Sequence, residues 1–205
     1  MEFGEYLKNK YGIGEPIYRE EIEFKNYSRS WIFKELNKLI ENGEIKRFDT
    51  AIYYFPKEMS YGESVLNPRK VVERRFLTDG YEVYGYLTGV SLLNMVGLST
   101  QVPNLIELVT NNESTRVRDI RIGFQRVRAR RSRTTVTKEN ANTLQFLDLM
   151  NTITLNVLGE TEKYMLRKYT KDSGVTRDSI SQYSILFPAK AMKNLMESGV
   201  AYELT

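Results

Sequence analysis

Over the first sixty residues the apolar positions recur first with a helical period and then with a strand period. Phe3, Tyr6, Leu7 and Tyr11 are spaced for one face of a helix that Gly12-Ile13-Gly14 ends. Glu15-Pro16 opens a short second helix running through Ile22. A third helix is predicted from about Ser28 to Asn42, closed by Gly43. Ile32, Phe33, Leu36, Leu39 and Ile40 fall on its core stripe, and Ser30, Lys34, Asn37, Lys38 and Glu41 on the opposite side. Two short strands follow, 45–48 and 51–55, with Asp49-Thr50 as their turn. Three helices and a two-stranded wing make the order of a winged helix-turn-helix, assigned here to residues 1–57.

Residues 56–67 mix Pro, Gly, Ser and charge with little periodicity, and 58–66 reads as a linker. Asn67-Pro68 then opens a helix with Val71, Val72 and Phe76 turned inward and Lys70, Arg74 and Arg75 outward. Within 85–103, Leu92, Leu93 and Val96 mark a short buried helix, with Thr88 or Ser91 as its cap and Gly97 as its end. Val102-Pro103 forces an extended exit. Strands are predicted at 105–110, 115–122 and 124–129, with a change of side-chain parity near Gly123 that marks a hairpin turn or a bulge. Helices return from Glu139: one from about Asn140 carrying Ala141, Leu144, Leu147, Leu149 and Ile153, one over 160–171, and a last one over 189–198. The expected fold class is α+β: a winged helix-turn-helix, then residues 67–205 as a mixed α/β domain with a small sheet and a helical tail.

If the third helix enters a major groove, its first turns face the bases. Lys34 can donate to guanine O6 and N7, and Asn37 can pair with adenine N6 and N7. Ser28, Arg29 and Ser30 lie at the helix start, and Lys46 and Arg47 in the wing, where they can meet phosphate. A solvated helix face accounts for the same residues one by one. Trp31 is expected to pack under the wing or on the first helix. The domain holds ten basic and ten acidic side chains, so Glu20, Glu21 and Glu23 must point away from any duplex.

Charge is concentrated further on. Arg116, Arg118, Arg121, Arg126, Arg128, Arg130, Arg131 and Arg133 are opposed only by Asp119, a net +7 in eighteen residues. This is a second basic surface for nucleic acid or another polyanion, for a toxin or other protein, or a charged defence of a sheet edge. The chain has no Cys and no His. That excludes thiol nucleophiles, His-dependent triads and Cys/His zinc sites, and no metal or cofactor is expected. No phosphate-binding loop, dinucleotide fingerprint, GxSxG or HExxH occurs. Glu107 and Asp119 are the nearest approach to a paired-carboxylate nuclease site, and local ion pairing explains them more simply. The chain is read as not an enzyme. It has no apolar run long enough to span a membrane and no secretory leader pattern, so it is read as cytoplasmic.

The stretch GYLTG-x-S-x-L-x-x-x-GLSTQVP at 85–103, placed behind the N-terminal pattern, resembles the AbiEi-type antitoxins of bacterial abortive-infection toxin–antitoxin pairs. The resemblance covers roughly residues 1–135 and is strongest at 85–103. It implies a winged helix that represses its own operon at inverted repeats in the promoter. It also implies a C-terminal domain that neutralises a nucleotidyltransferase-type toxin, with direct contact left open, and that assists repression. Carried onto this chain, DNA contact falls to Ser28, Arg29, Ser30, Lys34, Asn37, Lys46 and Arg47, and the 85–103 motif to scaffold. Two other readings stay open: a ligand-responsive winged-helix regulator, and a non-catalytic RNA- or protein-docking module.

Overall fold

The computed structural model describes residues 2–60, 62–154 and 159–204. The protein is mixed α+β with small sheets. It divides into two compact units. One holds the chain up to Val71 together with Ile122–Phe124, and the other holds Val72–Arg121 and the chain from Gln125 onward.

The first unit begins with α1 (Phe3–Tyr11), started by reciprocal bonding of Glu2 and Glu5 and ended at Gly12, whose φ is 89°. The expected second helix does not form. Ile17–Tyr18 is a two-residue strand, β1, and Arg19–Glu21 a single 3-10 turn. Ile17 and Ile22, the buried aliphatic residues here, are five apart, a spacing that makes no helical stripe. Ile17 instead pairs with Tyr53 in a sheet. Next come α2 (Arg29–Glu41), β2 (Lys46–Asp49) and β3 (Ile52–Tyr54). These strands form an antiparallel sheet of order β1-β3-β2. The β2–β3 turn sits one residue later than expected, with Ala51 at φ 59°. The stretch read as a linker contains a two-stranded hairpin, β4 (Glu58–Met59) and β5 (Gly62–Glu63). The core joins Phe3, Leu7, Ile17, Ile22, Phe24, Ile32, Leu36, Ile45, Tyr53 and Phe55. Phe33, expected in that core, is 43% exposed.

Helix α3 (Pro68–Phe76) opens as its sequence predicts, with Asn67 Oδ1 accepting the Arg69 N–H at 3.0 Å. The second unit is built on a four-stranded sheet of β6 (Gly85–Thr88), β7 (Leu105–Thr110), β8 (Val117–Ile122) and β9 (Gln125–Arg131). Its order is β6-β7-β9-β8, with β6 antiparallel and β9 parallel to β7. The parity change is a two-residue turn at Gly123-Phe124. Between β6 and β7 lies α4 (Gly89–Val96), ended by Gly97 in the left-handed region. Thr88 does not cap it with its side chain.

The expected helical tail is instead the core of this unit. Helix α5 (Ala141–Thr152) is buried on almost every side. Around it stand α6 (Glu160–Asp172), α7 (Arg177–Tyr183) and α8 (Ala189–Glu197). Asn194 of α8 donates to the carbonyls of Met150 and Ile153 at 2.7 and 3.0 Å, satisfying the end of α5. Tyr86, Leu92, Val96, Val109, Leu144, Phe146, Leu166, Ile180, Leu195 and Val200 share one apolar cluster. Among the described residues no helix is long and apolar enough to cross a membrane.

Candidate nucleic-acid interface

In the first unit the candidate residues gather at the start of α2. Ser28 caps the helix, its hydroxyl accepting the Trp31 N–H at 3.2 Å. Arg29 donates from Nη1 to the Glu20 carbonyl at 2.8 Å, tying the helix start to the 3-10 turn. Both are committed to building the site. Ser30 and Lys34 are exposed and have no side-chain partner among the described residues. They border a groove of about 500 Å³ whose other walls are Arg19, Glu20, Arg29 and Phe33. Asn37 lies one turn beyond Lys34 and is half-buried.

Three groove residues were outside the predicted contact set. Phe33 is exposed because it lies at the edge of the apolar stripe, where the Arg19 guanidinium sits 5.6 Å from its ring centroid. Arg19 was hidden by the expected second helix. Glu20 lines the groove and is exposed, so one member of the acidic cluster lies beside the expected duplex surface. Trp31 packs on the first helix, edge to face with Phe3 at 5.4 Å and stacked on Tyr27 at 3.9 Å. Tyr27 follows Lys25 and Asn26, both at positive φ (45° and 57°). On β2, Lys46 is ion-paired with Glu63, and Arg47 donates from Nε to the Asp49 carbonyl at 3.3 Å.

In the second unit the eight arginines do not act together. Arg130 bonds Asp148 Oδ2 at 2.8 Å and Thr88 Oγ1 at 3.0 Å, clasping the sheet to α5. Arg133 reaches the Leu186 carbonyl and lies 4.9 Å from the Phe187 ring centroid. Arg128 makes a bidentate pair with Asp119 at 2.7 and 2.9 Å, which holds the Asp119 carboxyl below its ordinary range. Arg116, Arg118, Arg121, Arg126 and Arg131 make no side-chain hydrogen bond or ion pair among the described residues. Glu107 accepts the Val90 N–H at 3.2 Å, so it and Asp119 each have a local partner. Among the described residues no three His, Cys, Asp or Glu side chains are grouped to hold a metal ion.

The chain matches the DUF6088 family, described as a family of unknown function, over residues 17–174. No curated protein matches it. With most of its length, including both the groove and the arginine-rich sheet, inside that match, the chain belongs to the DUF6088 family.

Proposed function

We propose that the protein is a cytoplasmic DNA-binding autorepressor whose first unit works as a winged helix. In this reading α2 lies in the major groove of its own promoter and the β2–β3 hairpin flanks it as the wing. The observation that carries the reading is the exposed start of α2: Ser30 and Lys34 have no side-chain partner among the described residues and lie beside the groove, while Ser28 and Arg29 hold that start in place. Lys34 and Asn37 then read base edges, and Lys46 and Arg47 meet phosphate once their present partners exchange for it. Both wing residues are exposed, so that exchange is inexpensive.

The resemblance of 85–103 to the AbiEi-type antitoxins extends the proposal to a toxin–antitoxin operon. The second unit then neutralises a nucleotidyltransferase-type toxin. The test is binding to DNA upstream of its own gene against a scrambled duplex, with Lys34→Ala alongside. A preference of roughly a thousandfold, reduced in Lys34→Ala, supports the repressor. Equal weak binding to both duplexes removes it. The toxin half is tested by co-expression with the neighbouring reading frame. Failure to rescue growth there removes the antitoxin claim and leaves DNA binding standing.

A further inference from the structure

Strand register separates the arginines into two groups. Glu107 of β7 stands opposite Arg128 of β9, and Thr88 of β6 opposite Glu107. Alternation therefore puts Arg126, Arg128 and Arg130 on the sheet face that also carries Glu107; Asp119 joins them through its pair with Arg128, and Arg121 shares the parity of Asp119 on β8. With Asp148 bonded to Arg130, three carboxylates offset all but one of the four arginines on that face. The larger excess of positive charge lies elsewhere. Arg118 has the opposite parity to Asp119 and lines a recess of about 300 Å³ with Arg75, Asn112, Glu113 and Ser114, floored by Phe76 and Ile120. Arg116 and Arg131 adjoin at the same end of the sheet, the Arg131 N–H donating to the Arg116 carbonyl at 3.3 Å.

Arg118 lies within electrostatic reach of Glu113, but neither cation of the recess is held by a hydrogen bond or an ion pair among the described residues. Asn112 donates to the Arg75 carbonyl at 3.0 Å, fixing the end of α3 at the rim. The Arg75 guanidinium lies 5.2 Å from the Phe76 ring centroid and makes no hydrogen bond or ion pair among the described residues. Asn111 is fully used by Ser132 and Val136. Glu113, the one carboxylate present, accepts the Thr115 N–H and hydroxyl at 3.1 and 2.9 Å. Two guanidinium forks and the Ser114 hydroxyl are left facing a small concave space. A dianion with three acceptor oxygens matches that set, since each fork can take two oxygens. A duplex does not fit, because its phosphates need a row of cations on an open surface.

We propose that this recess binds the terminal phosphate of a small phosphorylated ligand, with Arg75 and Arg118 as its two forks. The site lies in the second unit and does not depend on the DNA reading. Inorganic pyrophosphate is the probe, titrated calorimetrically into the full chain. Saturable binding at one site is expected. Arg118→Ala and Arg75→Ala should each weaken it roughly ten- to a hundredfold. Arg118→Lys, which keeps the charge and loses the fork, should recover only part. Arg121→Ala removes an equal charge outside the recess and should leave affinity within about twofold. Circular dichroism of each variant separates lost binding from lost folding. The proposal is overturned if pyrophosphate gives no saturable binding, or if Arg121→Ala weakens it as much as Arg118→Ala. It is also overturned if Arg118→Ala weakens duplex DNA and pyrophosphate by the same factor, which would make the recess part of a nucleic-acid surface.

Discussion

Replacing Asp148 by Ala should destabilise the second unit by about 2–3 kcal/mol. Asp148 lies in the middle of α5 with its side chain 3% exposed. Its Oδ2 accepts from Thr88 Oγ1 and from Arg130 Nη2, each at 2.8 Å. Truncation leaves a buried hydroxyl and a guanidinium without their acceptor. Breaking a fully buried pair in this way costs about 3–5 kcal/mol. Arg130 is one-third exposed, so water takes over part of its solvation and the value falls toward the lower range. For a unit of this size the midpoint of thermal unfolding should drop by roughly 6–9 °C, read by far-ultraviolet circular dichroism. Trp31 is the chain's one tryptophan and belongs to the first unit, so its emission follows that unit separately. The double replacement Asp148→Leu with Arg130→Met should recover only the part of the loss that comes from orphaned charge, because the buried Thr88 hydroxyl still lacks a partner. A single Asp148→Ala variant within about 0.5 kcal/mol of the parent in urea unfolding would refute the clasp.

Gly85→Ala should be more damaging than its size suggests. An added Cβ would lie 2.0 Å from the Phe76 carbonyl oxygen and 2.7 Å from that of Val109, so backbone must move; a loss of at least about 3 kcal/mol is expected from urea midpoints, and an unchanged midpoint sinks the reasoning. Glu20→Gln takes a carboxylate out of the α2 groove and should tighten promoter DNA a few-fold at low salt, whereas weaker binding would mean that the groove does not face phosphate. Glu113→Gln should lower stability at pH 7 by under about 1 kcal/mol. Bonding from Thr115 depresses the Glu113 pKa, so its contribution is full above the ordinary carboxylate range and lost as pH falls through the folded value. The gap to the Gln variant should therefore close below about pH 4, and a gap constant with pH would remove that origin.

Local signals were legible where one segment carries its own partners. The start of α2 near Ser28, the Gly97 terminus and the strand at 105–110 follow from residues near one another in the chain. Gly85 and Gly89 stood out in spacing, but their reasons lie at a distance, in the Phe76 carbonyl and the Glu107 carboxylate. Helix α5 reads from the sequence as the head of a tail for the same cause. Thr143, Gln145 and Asp148 interrupt its apolar pattern, and their partners come from α7, from β6 and α6, and from β6 and β9. The arginine segment looked like one surface because the parallel pairing of β7 and β9, which sorts it into two faces, has no local signature. At the candidate interface Ser30 and Lys34 were visible from periodicity. Arg19 was not, because a 3-10 turn replaces the expected helix, and Phe33 was not, because it lies at the edge of the apolar stripe of α2.

That sorting also predicts how binding should respond to salt. If only the first unit meets DNA, the cations available are Arg19, Lys34, Lys46 and Arg47, with Glu20 opposing them. Three or four neutralised phosphates give a slope of log K against log salt of roughly −3 per bound chain. Adding the five arginines of the second unit that have no side-chain partner among the described residues would steepen it to roughly −7 or −8. Promoter binding measured over a salt series, divided by the number of chains bound, distinguishes the two. A slope steeper than about −5 per chain would show that the arginine-rich unit also lies on the duplex. A slope shallower than about −1 would remove phosphate contact by the wing, and the exposed face of α2 would then have to be a surface for another protein.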